Sequence, residues 1–111
     1  MKIRVDIDRN ADTDVLFQFK GEDGEIVDLK GYTLKMQVRP KPQSTKLFDE
    51  LSTENGKLVV EDEHVRAKIT AEASLDYDAD TCYFDILATS QDGRKTRICE
   101  GIIVTSPEVT V

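Results

Sequence analysis

Thr81-Cys82-Tyr83-Phe84-Asp85-Ile86-Leu87-Ala88-Thr89, then Ser90-Gln91-Asp92-Gly93-Arg94, then Lys95-Thr96-Arg97-Ile98-Cys99-Glu100-Gly101-Ile102-Ile103-Val104, spell two strands and the turn between them. Cys82, Phe84 and Ile86 recur at every second position, the period of a strand with one face in a core. Asp-Gly adopts the positive φ of a tight hairpin at little cost. With Asp92-Gly93 as a two-residue turn, Gln91 faces Arg94, Phe84 falls opposite Gly101, Ile86 opposite Cys99 and Cys82 opposite Ile103. The Phe84 ring then covers the bare backbone of Gly101. The two cysteines share a face but stand four residues apart along the ladder, roughly 13 Å. A disulfide cannot reach that far, so both are expected to be reduced, buried and packed as small hydrophobes. Two cysteines are also too few for a disulfide scaffold and lack zinc-ligand spacing.

The same grammar runs upstream. Ile3, Val5 and Ile7 alternate with Arg4 and Asp6, and Asn10 to Thr13 reads as a turn. Val15, Phe17 and Phe19 form a second strand, Asp23-Gly24 a turn, and Ile26-Val27 a short return. From Tyr32 to Arg39 the period is cleanest, with Tyr32, Leu34, Met36 and Val38 on one face and Thr33, Lys35, Gln37 and Arg39 on the other. Pro40 and Pro42 remove two ladder donors and place an exposed connection or an edge after it. Leu47 to Ser52, Leu58 to Val60 and Val65 to Ile69 are further strands, with Asn55-Gly56 a hairpin signal. Thr70 caps one helical turn over 71–76. Eight or nine short strands and one helical turn predict an all-β protein: a single domain over 1–111, built as a two-sheet antiparallel β-sandwich of Ig-like or Greek-key type.

Composition narrows what such a domain does. Its 111 residues suit one core. The formal charge of −7, from 15 Lys+Arg against 22 Asp+Glu, disfavours nucleic acid, whose affinity comes mostly from phosphate neutralisation. No apolar run approaches the ~20 residues that span a bilayer. The opening residues alternate as a strand does and do not form a signal peptide. Charge is uneven: Lys30, Lys35, Arg39, Lys41 and Lys46 make the middle basic, while Asp76, Asp78 and Asp80 end an acidic stretch. Such a surface stays solvated and can steer one protein patch toward another.

Catalytic machinery is not legible. His64 is the only histidine and sits in the acidic turn Glu61-Asp62-Glu63-His64, where a surface role is expected. No nucleophile elbow, phosphate loop or dinucleotide fingerprint is present. Asp6, Asp8, Asn10, Asp12 and Asp14 place oxygen ligands at alternate positions, as a weak calcium site would. A calcium loop of the EF-hand type needs glycine sixth and glutamate twelfth, where Ala11 and Phe17 stand, and Arg9 adds a positive charge. Alternating carboxylates on the wet face of a strand explain the pattern equally. Asp76-Tyr77-Asp78-Ala79-Asp80 is a second, weaker cluster. Among the aromatics Phe17, Phe19, Tyr32 and Phe84 are assigned to packing and Tyr77 to a turn, leaving little for a carbohydrate platform. No catalytic, cofactor or metal residue is assigned.

From about Asp23 onward, some four-fifths of the chain, the sequence resembles β-sandwich modules of tailed-bacteriophage virion proteins, similar to N-terminal domains of baseplate upper proteins and related tail or neck components. The resemblance rests on Asp28-Leu29-Lys30-Gly31-Tyr32-Thr33 and the strand to Arg39, on Asn55-Gly56-Lys57-Leu58, and on Ile69-Thr70-Ala71-Glu72-Ala73. It continues through Cys82-Tyr83-Phe84-Asp85-Ile86, the Asp92-Gly93 turn, Glu100 to Val104 and Pro107-Glu108-Val109-Thr110. Phe84 departs from it, standing where a tyrosine of a Tyr-Asp pair is expected. Such modules often precede a fibre-forming region, whereas this sequence stops after Pro107 to Thr110, which implies a stand-alone adaptor. The resemblance implies a non-enzymatic structural component of the virion, made in the bacterial host cytoplasm. It would contact other virion proteins and form a homo-oligomer, without nucleic acid or membrane. The alternative class is a bacterial binding module for calcium or carbohydrate. Assembly is expected through edges: the strand Ile3 to Ile7 is lightly guarded, and Ile102-Ile103-Val104 is apolar on both faces.

Overall fold

The computed structural model describes residues 2–77 and 80–106, and of Lys2 the backbone alone. Eight strands and one helical turn follow in order: β1 (Lys2–Asp8), β2 (Thr13–Phe17), β3 (Thr33–Arg39), β4 (Asp49–Ser52), β5 (Leu58–Val60), β6 (Val65–Ile69), α1 (Ala71–Ser74), β7 (Thr81–Thr89) and β8 (Lys95–Ser106). They form a five-stranded sheet, β1-β8-β7-β3-β4, packed on a three-stranded sheet, β2-β6-β5. The β3–β4, β5–β6 and β7–β8 connections join strands paired within one sheet, whereas the β1–β2, β2–β3, β4–β5 and β6–β7 connections carry the chain between sheets. The resulting order is that of an immunoglobulin-type sandwich, with the first strand beside the last.

Alternation builds the core. On β7 every second residue (Cys82, Phe84, Ile86, Ala88) is buried, and β3 buries Leu34, Met36 and Val38 beside them. From the facing sheet come Phe17, Leu58, Val65, Ala67 and Ile69. Each such large side chain contributes about 1.5–3 kcal/mol by leaving water. Phe17 on β2 and Phe84 on β7 meet across the sandwich with centroids 5.8 Å apart. Antibody domains join this pair of layers by a disulfide; here two rings do so, and Cys82 and Cys99 are buried thiols outside any disulfide.

Several local expectations are corrected. The sandwich is not wholly antiparallel: β1 runs parallel to β8, from Lys2 opposite Glu100 to Asp8 opposite Ser106. Parallel partners need a long crossover, and here the rest of the domain is that crossover. The close seat depends on Gly101, where a Cβ would lie 2.0 Å from the carbonyl oxygen of Ile3. The β7–β8 turn holds three residues, not two. Gly93 N–H donates to the Ser90 carbonyl (3.0 Å) and Ser90 N–H to that of Arg94 (2.9 Å), with Gly93 at φ 88°. Ser90, not Gln91, therefore faces Arg94, as in a type I turn closed by a left-handed glycine. A bulge between Ile86 and Leu87 then restores the expected register, so that Phe84 faces Gly101 and Cys82 faces Ile103.

Ile26-Val27 forms no strand, only a single bridge from Ile26 to Lys20. Asn55-Gly56 closes no hairpin either, because β4 pairs with β3 and β5 with β6, and the turn joins the two sheets. Instead the Asn55 amide occupies the outer edge of β4, accepting from Ser52 N–H (2.9 Å) and donating to the Glu50 carbonyl (3.0 Å). A neighbouring strand would use those same two groups, so the side chain blocks one edge. Pro40 and Pro42 guard no edge, since β3 is internal to its sheet. Tyr32 and Tyr77 exchange roles. Tyr32 is 40% exposed at the entrance to β3, whereas Tyr77 is wholly buried. Its ring stacks on Phe48 (6.1 Å) and its hydroxyl donates to Asp49 Oδ2 (2.7 Å). Ile103 is buried beneath β8, while Ile102 and Val104 are half-buried on the other face.

Candidate functional site

The outer face of the five-stranded sheet carries the residues that alternation turns away from the core, and register sorts them into rows. Arg4, Ile102, Tyr83 and Arg39 are successive cross-strand partners on β1, β8, β7 and β3. That row is an apolar pair with a guanidinium at each end. The next row holds Glu100, Asp85, Gln37 and Glu50. The third holds Arg97, Leu87 and Lys35. Basic, acidic and basic stripes therefore cross the sheet, with half-buried Tyr83, Ile102 and Leu87 among them. Pro42 and Gln43, in the β3–β4 connection, border an open concavity of about 770 Å³ that Tyr83 and Ile102 also line.

Electrostatics give the face its character. Asp85 and Glu100 are directly opposed, an arrangement that destabilises a sheet by a few tenths of a kcal/mol or more. Arg97 Nε relieves Asp85 at 3.1 Å. Gln37 links the stripes, donating to Glu50 (3.0 Å) and accepting from Arg39 Nη2 (2.7 Å). Arg39 Nη1 also donates to the Ser44 carbonyl (2.9 Å), so this half-buried guanidinium is held still by neutral oxygens. Among the described residues it has no carboxylate partner within ion-pair distance. A partner's carboxylate beside Tyr83 would meet a fixed cation, and a basic side chain would meet the Asp85–Glu100 pair.

The two acidic stretches come together at one end of the sandwich. Arg9 Nη2 donates to the Tyr77 carbonyl (2.6 Å) and to the Thr105 hydroxyl (3.1 Å). Asn10 N–H donates to Ser74 Oγ (2.8 Å), and Asp12 Oδ1 accepts from Ala71 N–H (2.7 Å) at the start of α1. Three of the four carboxylates of the calcium-like run are taken up in other roles: Asp6 pairs with Arg4 (3.1 Å), Asp14 with Arg66 (3.0 Å), and Asp12 accepts from Ala71 N–H at the start of α1. Among the described residues no three His, Cys, Asp or Glu side chains converge as a metal site requires. Asp78 and Ala79, and the stretch 107–110, lie outside the described residues. His64 Nε2 stands 2.8 Å from Glu61 Oε1 in the β5–β6 turn. Burial pushes the Cys99 thiol up to about 11, with Glu100 and Asp85 adding to it.

No family model matches the chain, and no curated protein matches it. Among solved structures, murine CRIg aligns over 95% of this chain and 92% of that one, at 14% identity and a TM-score of 0.42. The class defined by strand order and side-chain placement is an eight-stranded, immunoglobulin-type sandwich with a charge-striped outer face.

Proposed function

We propose that this protein is a non-enzymatic docking module, a structural or adaptor component of a bacteriophage virion that binds another virion protein through the striped face. The observation that carries the docking reading is the row Arg4-Ile102-Tyr83-Arg39 beside the opposed Asp85 and Glu100. A fold selected for stability alone gains nothing from like charges in register, whereas a recognition surface gains specificity from them. Aromatic and arginine side chains are also the usual anchors of interfaces. The virion setting, in tail, baseplate or neck, is supported by the sequence resemblance. Mass spectrometry of purified particles from the phage that encodes the chain tests it, with Tyr83→Ala/Arg39→Glu as the comparison. The wild type is expected in the particles, and the folded double variant in the unassembled fraction. Absence of the wild type from particles would refute the virion role; equal incorporation of the variant would move docking to another surface.

A further inference from the structure

The four sheet edges are unequally protected. Asn55 blocks β4, β5 is only three residues long, and β1 carries the Arg4–Asp6 pair on its outer face. β2 is longer, with five residues and no blocking amide on it among the described residues, and its charged residue, Asp14, is already neutralised by Arg66 (3.0 Å) on the neighbouring strand. Among the described residues it is hydrogen-bonded to β6 alone; it contains neither proline nor lysine, and presents Leu16, 53% exposed, beside its outer edge. A groove of about 390 Å³ between β1 and β2 keeps that edge open. Unpaired N–H and C=O groups along such an edge take up another strand readily.

We propose that β2 pairs antiparallel with β2 of a second copy, with Leu16 on the twofold axis. This deepens the assembly reading above and rests on it only in treating the protein as one that oligomerises. Alternation restricts the register to those that keep Val15 and Phe17 on the core side. Centring on Asp14 opposes two carboxylates, and centring on Val15 sets Leu16 against Asp14 of the other copy. Centring on Leu16 sets leucine against leucine, Val15 against Phe17 and Asp14 against Gln18, with no like charges opposed. Arg66, the cross-strand partner of Leu16 on β6, extends the apolar row with its stem while its head stays with Asp14 (3.0 Å) and Glu61 (3.1 Å). The strand is thus its own complement, which is why the occupant is a second copy and not a foreign chain. Each copy carries a formal charge of −7, so salt should strengthen the pairing by screening the repulsion.

Sedimentation and light scattering of the purified protein across concentration and ionic strength test this without any particle. The wild type is expected to dimerise more strongly as salt rises. Leu16→Lys, with an unchanged circular dichroism spectrum, should dimerise about tenfold more weakly or worse, a loss of at least 1.4 kcal/mol. Leu16→Cys should form a covalent dimer on mild oxidation, since residues facing each other across strands lie within disulfide reach and Cys82 and Cys99 are buried. A wild type that stays monomeric at high concentration and high salt overturns the proposal. So does a Leu16→Lys variant that dimerises like the wild type, or a Leu16→Cys variant that does not cross-link. None of these results bears on whether particles contain the protein, which is tested separately.

Discussion

Where Gly101 has a hydrogen atom, any other residue would place a carbon 2.0 Å from the Ile3 carbonyl oxygen. The obstacle is backbone on a seven-residue strand, so it cannot rotate aside. Gly101→Ala is therefore expected to push β1 off β8 and cost about 1–3 kcal/mol. A lower denaturation midpoint, with faster amide exchange in β1 than in β3, would show it. Tyr77 carries a different burden. Burial and the neighbouring Asp49 carboxylate raise its phenol well above the usual tyrosine range, so it stays a donor. Tyr77→Phe keeps the ring stack on Phe48 but removes the donor from Asp49 Oδ2, leaving Glu50 N–H (2.9 Å) and Lys57 (3.5 Å) on the other carboxylate oxygen. Equilibrium urea unfolding should register a loss of about 1–3 kcal/mol. Cys99 sets an alkaline limit. Its thiol is pushed from 9.0 to about 11 in the fold, so its contribution is intact below pH 9 and lost as pH rises toward 11. Unfolding free energies measured across that window should fall, and Cys99→Val should flatten part of the decline.

At the level of elements, what the sequence makes legible is what is local. Alternation identifies the inward face of β3 from Leu34 to Val38 and of β7 from Cys82 to Ile86, and Thr70 does cap α1 through Ala73 N–H (3.1 Å). The far register of the β7–β8 hairpin is recovered because two unseen irregularities, an extra turn residue and a bulge, cancel. Partnership is not local. The parallel seat of β1 depends on residues 98 positions away, and nothing in Asn55-Gly56 itself says that its flanking strands belong to different sheets. The candidate site divides the same way. Lys35, Gln37 and Arg39 are recognisable as outward-facing, but the charge stripes exist only once four strands are in register. Tyr77 lies in a turn by its neighbours in sequence, yet its ring is buried because Phe48, in another connection, stacks on it. The β1–β2 turn also makes a prediction. With Asp6, Asp12 and Asp14 committed to Arg4, Ala71 N–H and Arg66, millimolar calcium should leave the melting temperature nearly unchanged. A ligand at ~100 times its dissociation constant would instead add about 2.7 kcal/mol, a shift that differential scanning fluorimetry detects.

Taken as one body, the domain measures 44 × 28 × 26 Å and is closed by its first and last strands. Pairing of that range cannot form until most of the chain has condensed, because loop closure must precede the contacts that reward it. Refolding is expected on a timescale of roughly milliseconds to seconds, slower than a helical protein of this length. Stopped-flow fluorescence from the tyrosines would follow it, and a microsecond phase carrying the full amplitude would contradict the expectation. The −7 charge adds a condition: at low ionic strength self-repulsion opposes compaction, and modest salt should raise stability.

Asn55 also gives the molecule a chemical age. In an Asn-Gly pair the glycine nitrogen can attack the side-chain carbonyl carbon, expelling ammonia and leaving aspartate or isoaspartate after hydrolysis. Here the amide is gripped by Ser52 N–H, the Glu50 carbonyl and Lys57 N–H, while Gly56 sits at φ 79°. That grip restrains the side chain from rotating to meet its attacker for as long as the β4 edge is intact, so native protein should deamidate more slowly than unfolded chain. Once converted, the new carboxylate has no hydrogen to offer Glu50 and repels its carbonyl oxygen. The blocked edge then opens, and a population stored long enough acquires sticky molecules that were not sticky when made.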